Sequence, residues 1–205
     1  MAKLFHKDIC NKLKKRKDRL LDICDEMERM NIDFELVTAI EDEENGARGL
    51  RDTVWKIIEQ GVKEEWDNVL IFEDDCQFIE PKHVVDEAMN KAIEQLPYNW
   101  LLFYLSGQVT NGFKERTGSN LLQVDMCFAT HSWAISQNGM KEIYNLGLDY
   151  PIDNSVVQKI QPLQRSYITY PILTTQRFGY SDIGKAEINW NHFLVTRYNQ
   201  KLHEL

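Results

Sequence analysis

The sequence predicts an α/β protein with a mainly parallel central sheet flanked by helices, in a single domain over residues 1–205. Strand-like and helix-like segments alternate through the first half of the chain, a pattern typical of parallel strands joined by right-handed crossovers. Asn68–Phe72 (NVLIF) and Trp100–Leu105 (WLLFYL) are uninterrupted apolar runs, as expected for strands covered on both faces. A length of 205 residues fits one domain with a sizeable core.

The first half of the chain predicts three strands and three helices from the spacing of its apolar residues. In order, they are a strand over Leu4–Cys10, a helix over Lys15–Met30, a strand over Phe34–Ile40, a helix over Arg51–Gln60, the strand Asn68–Phe72 and a helix over Val84–Leu96. The helix over Arg51–Gln60 is expected to end near Gly61, because glycine commonly ends helices. The helix over Val84–Leu96 is expected to end before Pro97.

The second half is less regular. After the strand Trp100–Leu105, residues 106–120 carry three glycines and predict a loop. The elements expected beyond it are strands over Leu121–Phe128 and Ser132–Ile135, a helix over Gln137–Leu146, a short helix over Asn154–Ile160 and a short strand over Ser166–Tyr170. The C-terminal segment, from about residue 171 to 205, is expected to be irregular.

Composition excludes several classes of protein. With 32 acidic and 24 basic residues the net charge is −8, which argues against a general nucleic-acid binder. No apolar run approaches the roughly 18 residues of a membrane-spanning helix, and the N-terminus lacks the apolar core of a secretory signal. Four cysteines lie far apart without a CxxC pair, which predicts reduced thiols and a cytoplasmic location.

Three consecutive acids, Glu73, Asp74 and Asp75, directly follow the predicted strand Asn68–Phe72. Ligands of open α/β sheets bind beyond the carboxyl ends of the strands, and a divalent cation relieves the repulsion between adjacent carboxylates. If the extended conformation continues, Glu73 and Asp75 point to one side and Asp74 to the other. The alternative is a solvated turn with a capping Asp, and phosphatases and nucleotidyltransferases carry similar acids.

Together with its surroundings, this cluster resembles glycosyltransferase family 25, which includes lipooligosaccharide and procollagen galactosyltransferases. Four stretches carry the resemblance, in the family's order. They are LKKRKDRL with ERMNIDFELVTAI, then NVLIFEDDCQF, then WLLFYLSG with ATHSWAIS, then YPIDNSV with PILTTQRFGYSDI. The stretches span about residues 10–183, which is most of the chain.

The resemblance implies a GT-A-type fold and a metal-dependent, inverting transfer of a hexose, with galactose expected. The donor implied is a UDP-sugar, the acceptor a glycan or hydroxylated molecule, as in lipopolysaccharide biosynthesis, and the cofactor Mn²⁺ or Mg²⁺. Glu73 and Asp75 are assigned to the metal, with Asp75 in direct contact and Asp74 near the ribose or donor sugar. A metal stabilises the charge that develops on the leaving diphosphate.

An inverting transfer needs one general base for the acceptor hydroxyl. Asp153 is the candidate, because it follows Pro151 and opens a predicted helix; the alternative is that it only caps that helix. His131 is given a donor or metal role by the resemblance, against the alternative of a buried structural histidine.

The remaining assignments concern the two ends of the matched region. Gln176, Ser181 and Asp182 match the family's closing motif and are assigned to donor binding or to holding the C-terminal segment over the site; plain turn formation is the alternative. Arg19 is assigned to the nucleotide or its diphosphate. The basic run KLKKRKDR around it predicts either a solvated helix start or peripheral contact with anionic lipid or an acidic glycan.

The sequence departs from the family's pattern at two places. Leu50 and Arg51 stand where the family has Ser-His before Trp55. Lys12 stands where the family's first strand has Asn. Two rival functions therefore stay open: a degenerate module that binds a nucleotide or sugar without catalysis, and a Mg²⁺-dependent nucleotidyl- or phosphotransferase. The absence of a Gly-rich P-loop after a strand disfavours the second rival. The sequence does not indicate an oligomeric state.

Overall fold

The computed structural model describes residues 5–110, 115–191 and 194–195. Helices in this part of the chain are α1 Lys17–Met30, α2 Gly46–Lys63, α3 Lys82–Gln95, α4 Gln137–Leu146 and α5 Ile152–Lys159, with a 3-10 helix at Gln161–Leu163. The strands are β1 Lys7–Lys12, β2 Glu35–Thr38, β3 Asn68–Glu73, β4 Cys76–Phe78, β5 Leu102–Tyr104, β6 Gln108–Val109, β7 Glu115–Arg116, β8 Leu121–Gln123, β9 Cys127–Phe128, β10 Ser132–Ser136, β11 Ser166–Thr169, β12 Thr174–Gln176, β13 Gly179–Ser181 and β14 Ala186–Ile188.

Eight of these strands form one sheet in the order β2-β1-β3-β10-β5-β11-β8-β7. The pairs β1–β2, β1–β3 and β5–β11 are parallel. Strand β10 is antiparallel to both β3 and β5, and β8 is antiparallel to both β11 and β7. Only β10 and β8 therefore run against the other strands of this sheet. The prediction of an α/β fold with a mainly parallel sheet and flanking helices is confirmed.

The chain reverses its winding direction between β1 and β3. From β1 it moves through α1 to β2 on one side, and from β2 it returns through α2 to β3 on the other side of β1. Where the connections from two neighbouring strands run to opposite sides, a crevice forms at the carboxyl ends of those strands. Ligands of open α/β sheets bind in this crevice. Asn11 near the end of β1 lies opposite Glu73 at the end of β3, so these residues mark the crevice.

Two hydrophobic cores cover the two faces of the sheet. Alternation along each strand separates them, so that Ile9 and Ile71 enter one core while Cys10 and Phe72 enter the other. The first core is completed by α2, α4 and α5, and the second by α1 and α3. Because both faces of β3 are buried, its apolar run needs no polar alternation.

Helix α2 is longer at both ends than predicted. It begins at Gly46, where the Asn45 side chain accepts a hydrogen bond of 3.2 Å from the Arg48 N–H and so caps the helix. It continues through Gly61 and ends at Lys63, close to the expected end near Gly61. A Cβ on Gly61 would lie 2.5 Å from the Met140 sulfur, which shows that this glycine permits close packing of α2 on α4.

Other elements differ from prediction in their bounds. Helix α1 begins at Lys17, because β1 extends to Lys12 and a turn follows it; Leu4, in the predicted first strand, lies outside the described residues. The predicted strand Leu121–Phe128 is divided into β8 and β9. The segment expected to be irregular contains β12, which pairs with β4, and the β13–β14 hairpin. The β4–β12 pairing joins segments about 100 residues apart in the chain, so short-range patterns do not indicate it, whereas the β13–β14 hairpin is local.

The four cysteines are free thiols. Burial raises the pKa of the Cys10, Cys76 and Cys127 thiols, which leaves them protonated and unreactive at neutral pH. Within the described residues, no helix has both the length and the apolar character needed to cross a bilayer. The extent of the domain over residues 1–205 stays a prediction.

The contact between α2 and the loop after β2 allows a test of the fold. A Cβ on Gly49 would lie 2.4 Å from the Ile40 carbonyl oxygen, and backbone cannot give way as a flexible side chain can. We expect Gly49→Ala to lower the free energy of unfolding by about 1–3 kcal/mol, despite the higher helix propensity of alanine. Urea denaturation measures this difference.

Gly179→Ala is the matched control, because no atom lies within 4 Å of its Cβ position. Its free energy of unfolding should stay within about 0.5 kcal/mol of wild type. A Gly49→Ala protein as stable as the control would contradict the tight packing of this loop on α2.

Candidate active site

A cavity of about 620 Å³ lies at the carboxyl ends of β1, β2 and β3. Its wall is formed by the end of β1, the loop after β2, the end of β3, the segment 128–130, the start of α5 and the β13–β14 hairpin. Cavities of roughly 300–1,000 Å³ bind small molecules and cofactors. The cavity coincides with the crevice between β1 and β3, so the topology and the surface point to one site.

The three consecutive acids all line this cavity. Strand β3 ends at Glu73, and Asp74 and Asp75 form the turn to β4. The extended conformation therefore stops before Asp74, and the expected alternation does not occur. Asp74 and Asp75 instead converge on the Arg19 guanidinium, whose Nη1 lies 2.7 Å from Asp74 Oδ1 and 3.3 Å from Asp75 Oδ2.

Asp153 enters the same cavity from α5. The helix begins at Ile152 after Pro151, and no side chain caps it. The alternative of Asp153 as a simple N-cap is therefore wrong. Its Oδ2 instead accepts a hydrogen bond of 2.9 Å from the Ala129 N–H, which fixes the carboxylate from outside its own helix.

Two adjacent residues of the segment before β10 connect the carboxylates. Ala129 donates its N–H to Asp153, and the Thr130 hydroxyl donates to Glu73 Oε1 at 2.9 Å. Ala129 has a φ of 74°, a left-handed conformation that costs a non-glycine residue roughly 1–2 kcal/mol. Such local strain is concentrated at functional sites, where surrounding contacts maintain it.

The carboxylates in the cavity are held in an unfavourable electrostatic environment. Burial raises the pKa of Asp75 to about 6, the Arg19 charge opposes this rise and Asp74 adds to it. Burial, followed by the charges of Asp75 and Asp153, raises the pKa of Glu73 well above its usual range. Burial also raises the pKa of Asp153, against the hydrogen bond from Ala129. The site therefore contains more negative charge than its own cations neutralise.

The basic run between β1 and α1 forms ion pairs around the cavity mouth. Lys15 Nζ lies 2.7 Å from Glu41 and 3.4 Å from Asp182. Arg16 Nη1 lies 2.9 Å from Asp182 Oδ2, and Lys14 and Lys17 are exposed. Lys15 is exposed as well, so the prediction of a solvated helix start holds for Lys14, Lys15 and Lys17 and is wrong for Arg16, which is partly buried.

The β13–β14 hairpin covers one side of the cavity. The Tyr180 carbonyl accepts hydrogen bonds from Arg19 at 2.7 Å and from Arg16 at 3.1 Å. The Ser181 hydroxyl accepts from the Gly184 N–H at 3.0 Å, which is a turn contact, while Asp182 is held by the basic run. Gln176 Nε2 lies 3.4 Å and 3.5 Å from the Asp75 oxygens. Gln176, Ser181 and Asp182 thus line the cavity. Ser181 forms a contact within the turn of the hairpin, and the ion pairs of Asp182 hold the hairpin at the cavity wall.

His131 lies beneath the site and does not line the cavity. It is fully buried, and its Nε2 lies 3.4 Å from the Thr174 hydroxyl. Burial lowers the pKa of His131 to about 3, so the ring is neutral at physiological pH. Its carbonyl accepts a hydrogen bond of 2.9 Å from the Glu73 N–H. The described structure thus associates His131 with the backbone at the end of β3 and does not bring its ring to the ligand cavity.

Sequence patterns missed several lining residues. Asn11 and Thr130 line the cavity, and neither carried an assignment, although Thr130 belongs to the quoted segment ATHSWAIS. Trp190 also contributes to the wall. Leu50, at the first position of the Ser-His departure, lines the cavity. Arg51, at the second position, donates a hydrogen bond of 2.9 Å to the Leu148 carbonyl.

The carboxylates do not form a ready metal site as they are arranged. Their oxygen atoms are of the type that Mg²⁺ or Mn²⁺ prefers. Within the described ranges, however, no three His, Cys, Asp or Glu side chains are placed to hold one metal ion. Arg19 already engages two of the three consecutive acids. Metal binding by Glu73 and Asp75 therefore stays a prediction.

Comparison with known proteins adds structural likenesses of low sequence identity. No protein-family model and no curated protein matches the sequence, so membership of family 25 stays a prediction. Among solved structures, A197 from STIV is 9% identical with a TM-score of 0.49, over 89% of this chain and 96% of that one. A glycosyltransferase involved in glycosylation of the major capsid of PBCV-1 is 12% identical with a TM-score of 0.49, over 96% and 98% of the two chains.

A third match is the Drosophila β-1,4-galactosyltransferase 7 mutant in complex with manganese, UDP-Gal and xylobiose. It is 8% identical with a TM-score of 0.45, over 83% of this chain and 69% of that one. Nucleotidyltransferases also occur among the matches. Likenesses of this degree carry no inference about substrate or reaction.

The raised pKa of Asp75 gives a test of the site's electrostatics. The folded state holds a proton on Asp75 up to a pH of about 6, against an ordinary value of 3.8, so its contribution to stability is lost as the pH rises between these values. We expect Asp75→Asn to raise the free energy of unfolding at pH 8 by about 1–3 kcal/mol. The gain should disappear at pH 4, where wild-type Asp75 is protonated.

Asp18→Asn is a control of opposite sign. The hydrogen bond from Arg16 lowers the pKa of Asp18 to about 2, so removing its charge should not stabilise the fold at pH 8. Urea denaturation at both pH values measures each variant. An effect of Asp75→Asn that is the same at pH 4 and pH 8 would show that the pKa of Asp75 is not raised in the folded state.

Proposed function

We propose that this chain is a glycosyltransferase that moves a hexose from a UDP-sugar to a hydroxyl group of a glycan or hydroxylated acceptor, with inversion at the sugar carbon. The observation that carries the proposal is the convergence of the three consecutive acids and Asp153 on one cavity at the switch between β1 and β3. Galactose is proposed as the hexose because the sequence resemblance implies it. The four cysteines, which are free thiols, favour a cytoplasmic location.

The dimensions of the cavity support a donor of this size. A volume of about 620 Å³ lies within the range of cavities that enclose nucleotide-sized ligands. The cavity opens at the carboxyl ends of the strands, where α/β sheets bind nucleotides. The departure at Leu50 alters one wall position, so the proposal includes a donor or acceptor preference that differs from the family's.

In the proposed reaction, Asp153 acts as the general base. The acceptor oxygen attacks the anomeric carbon, its proton passes to the Asp153 carboxylate, and the bond from that carbon to the diphosphate oxygen breaks. UDP leaves with the bonding electron pair. The raised pKa of Asp153 supports this role, because a carboxylate is a stronger base when its pKa lies closer to the working pH.

The metal dependence of the reaction is proposed from the sequence resemblance alone. Because Arg19 engages Asp74 and Asp75, the arrangement of these side chains does not fit a bound divalent ion. The charge of the leaving diphosphate still requires stabilisation, which cationic side chains of a site also provide.

Substitution of the proposed base tests the reaction. We expect Asp153→Asn to reduce transfer by about 10²–10⁴-fold without changing the affinity for UDP, because the amide cannot accept the acceptor's proton. The measurement is UDP release from UDP-hexoses in the presence of glycan acceptors, with UDP affinity measured by calorimetry. In wild type, activity should fall as the pH decreases through the raised pKa of Asp153.

Asp149→Asn is the matched control. Asp149 precedes the same helix, is largely exposed and pairs with Lys159 at 2.8 Å, so transfer should be unaffected. Turnover that survives in Asp153→Asn would remove this residue as the base.

A thermal-shift panel tests the donor class directly. A ligand that binds only the folded state raises the melting temperature by mass action. We expect UDP and UDP-hexoses to raise the melting temperature more than GDP, CMP and their sugars, in Mn²⁺ and in EDTA. A response to UDP-sugars with no turnover on any acceptor would favour a degenerate binding module, and pyrophosphate release from a nucleoside triphosphate would favour a nucleotidyltransferase.

A further inference from the structure

Two polar residues at the end of β1 line the cavity without a visible partner. Asn11 and Lys12 are 5% and 8% exposed, and both contribute to the cavity wall. Asn11 lies opposite Glu73 in the register of β1 and β3. These residues therefore lie at the switch point of the sheet, where ligands bind in open α/β sheets.

Each of these two side chains has a polar group without a protein partner among the described residues. The buried Asn11 Nδ2 has no hydrogen-bond partner. Among the described residues, no ion pair or hydrogen bond engages Lys12 Nζ, although Glu73, Asp74 and Asp75 line the same cavity. The Lys12 side chain is therefore largely enclosed by the cavity wall while its charge has no ion-pair partner in the described part of that wall, an arrangement that costs free energy unless a counter-charge binds.

The other cations of the cavity wall differ from Lys12. Lys15 pairs with Glu41 and Asp182, and Arg19 pairs with Asp74 and Asp75. Lys185 is exposed on the β13–β14 hairpin. Within the described wall, Lys12 is thus the buried cation whose charge is left for a ligand.

We propose that Lys12, with Asn11 beside it, binds the diphosphate of the donor in this cavity. The inference rests on the proposed function and extends it, since it assigns the diphosphate contact to a permanent cation of the chain. A lysine ammonium binds phosphate oxygens as a compact point charge, and the Asn11 Nδ2 group supplies a second donor. The departure from the family at Lys12 thereby becomes a feature of donor binding.

This assignment has a direct consequence for metal dependence. A lysine keeps its charge when divalent ions are removed, so part of the affinity for the diphosphate is expected to persist in EDTA. The same charge stabilises the diphosphate as it leaves with the bonding electrons.

The test compares UDP with uridine, because the two ligands differ only in the diphosphate. Isothermal calorimetry in EDTA is expected to show that wild type binds UDP about 10–100-fold more tightly than uridine, the range of a charge-assisted hydrogen bond. Lys12→Met should remove this difference and leave uridine affinity unchanged. Lys14→Met is the matched control, because Lys14 belongs to the same basic run and is exposed; it should keep the difference.

Lys12→Gln serves as a second variant, because it keeps a polar side chain if the methionine protein fails to fold. The proposal is overturned if the folded variant binds UDP as tightly as wild type, or if UDP and uridine weaken equally, which would make Lys12 a counter-ion for the carboxylates. It is also overturned if wild type binds UDP more tightly than uridine only with Mn²⁺. Failure of wild type to bind any nucleotide in either buffer would instead refute the proposed function itself.

Discussion

The ion pairs of Arg19 with Asp74 and Asp75 are the interaction on which the site depends. This one side chain joins the first turn of α1 to the turn after β3, and through the Tyr180 carbonyl to the β13–β14 hairpin. Two adjacent carboxylates would otherwise be buried without a counter-charge, which is strongly destabilising. The wall of the cavity is therefore assembled around a guanidinium group whose fixed fork geometry suits several oxygen acceptors at once.

Around the Arg19 ion pairs, the site contains charged groups that the other described side chains of the protein do not neutralise. Burial raises the pKa of Glu73, Asp75 and Asp153, while Lys12 is buried on the same wall without an ion pair among the described residues. A protein selected for stability alone would replace such groups with apolar ones. Their presence in one cavity is typical of a functional site, where local rules are broken and the rest of the fold compensates.

The elements that sequence patterns predicted best are those whose local signal agrees with their burial. The apolar run Asn68–Phe72 became β3, and the predicted helix Gln137–Leu146 has the observed bounds of α4. Gly61 correctly indicated the region where α2 ends, although the glycine lies inside the helix and lets it approach Met140. Strands β4 and β12 had no usable signal, because each is defined by pairing with a segment about 100 residues away in the chain.

The sequence by itself determined the alternation of strands and helices, the position of three acids after the central strand, and Asp153 as an isolated candidate. These features depend on local periodicity and on residue types at fixed spacing. Only the tertiary structure decided that Ala129 holds Asp153 and Thr130 holds Glu73 in one cavity, that His131 lies beneath it, and that Lys12 is buried at its wall. These facts depend on which strands become neighbours and which charges find partners, and both are settled by long-range packing that no local pattern encodes.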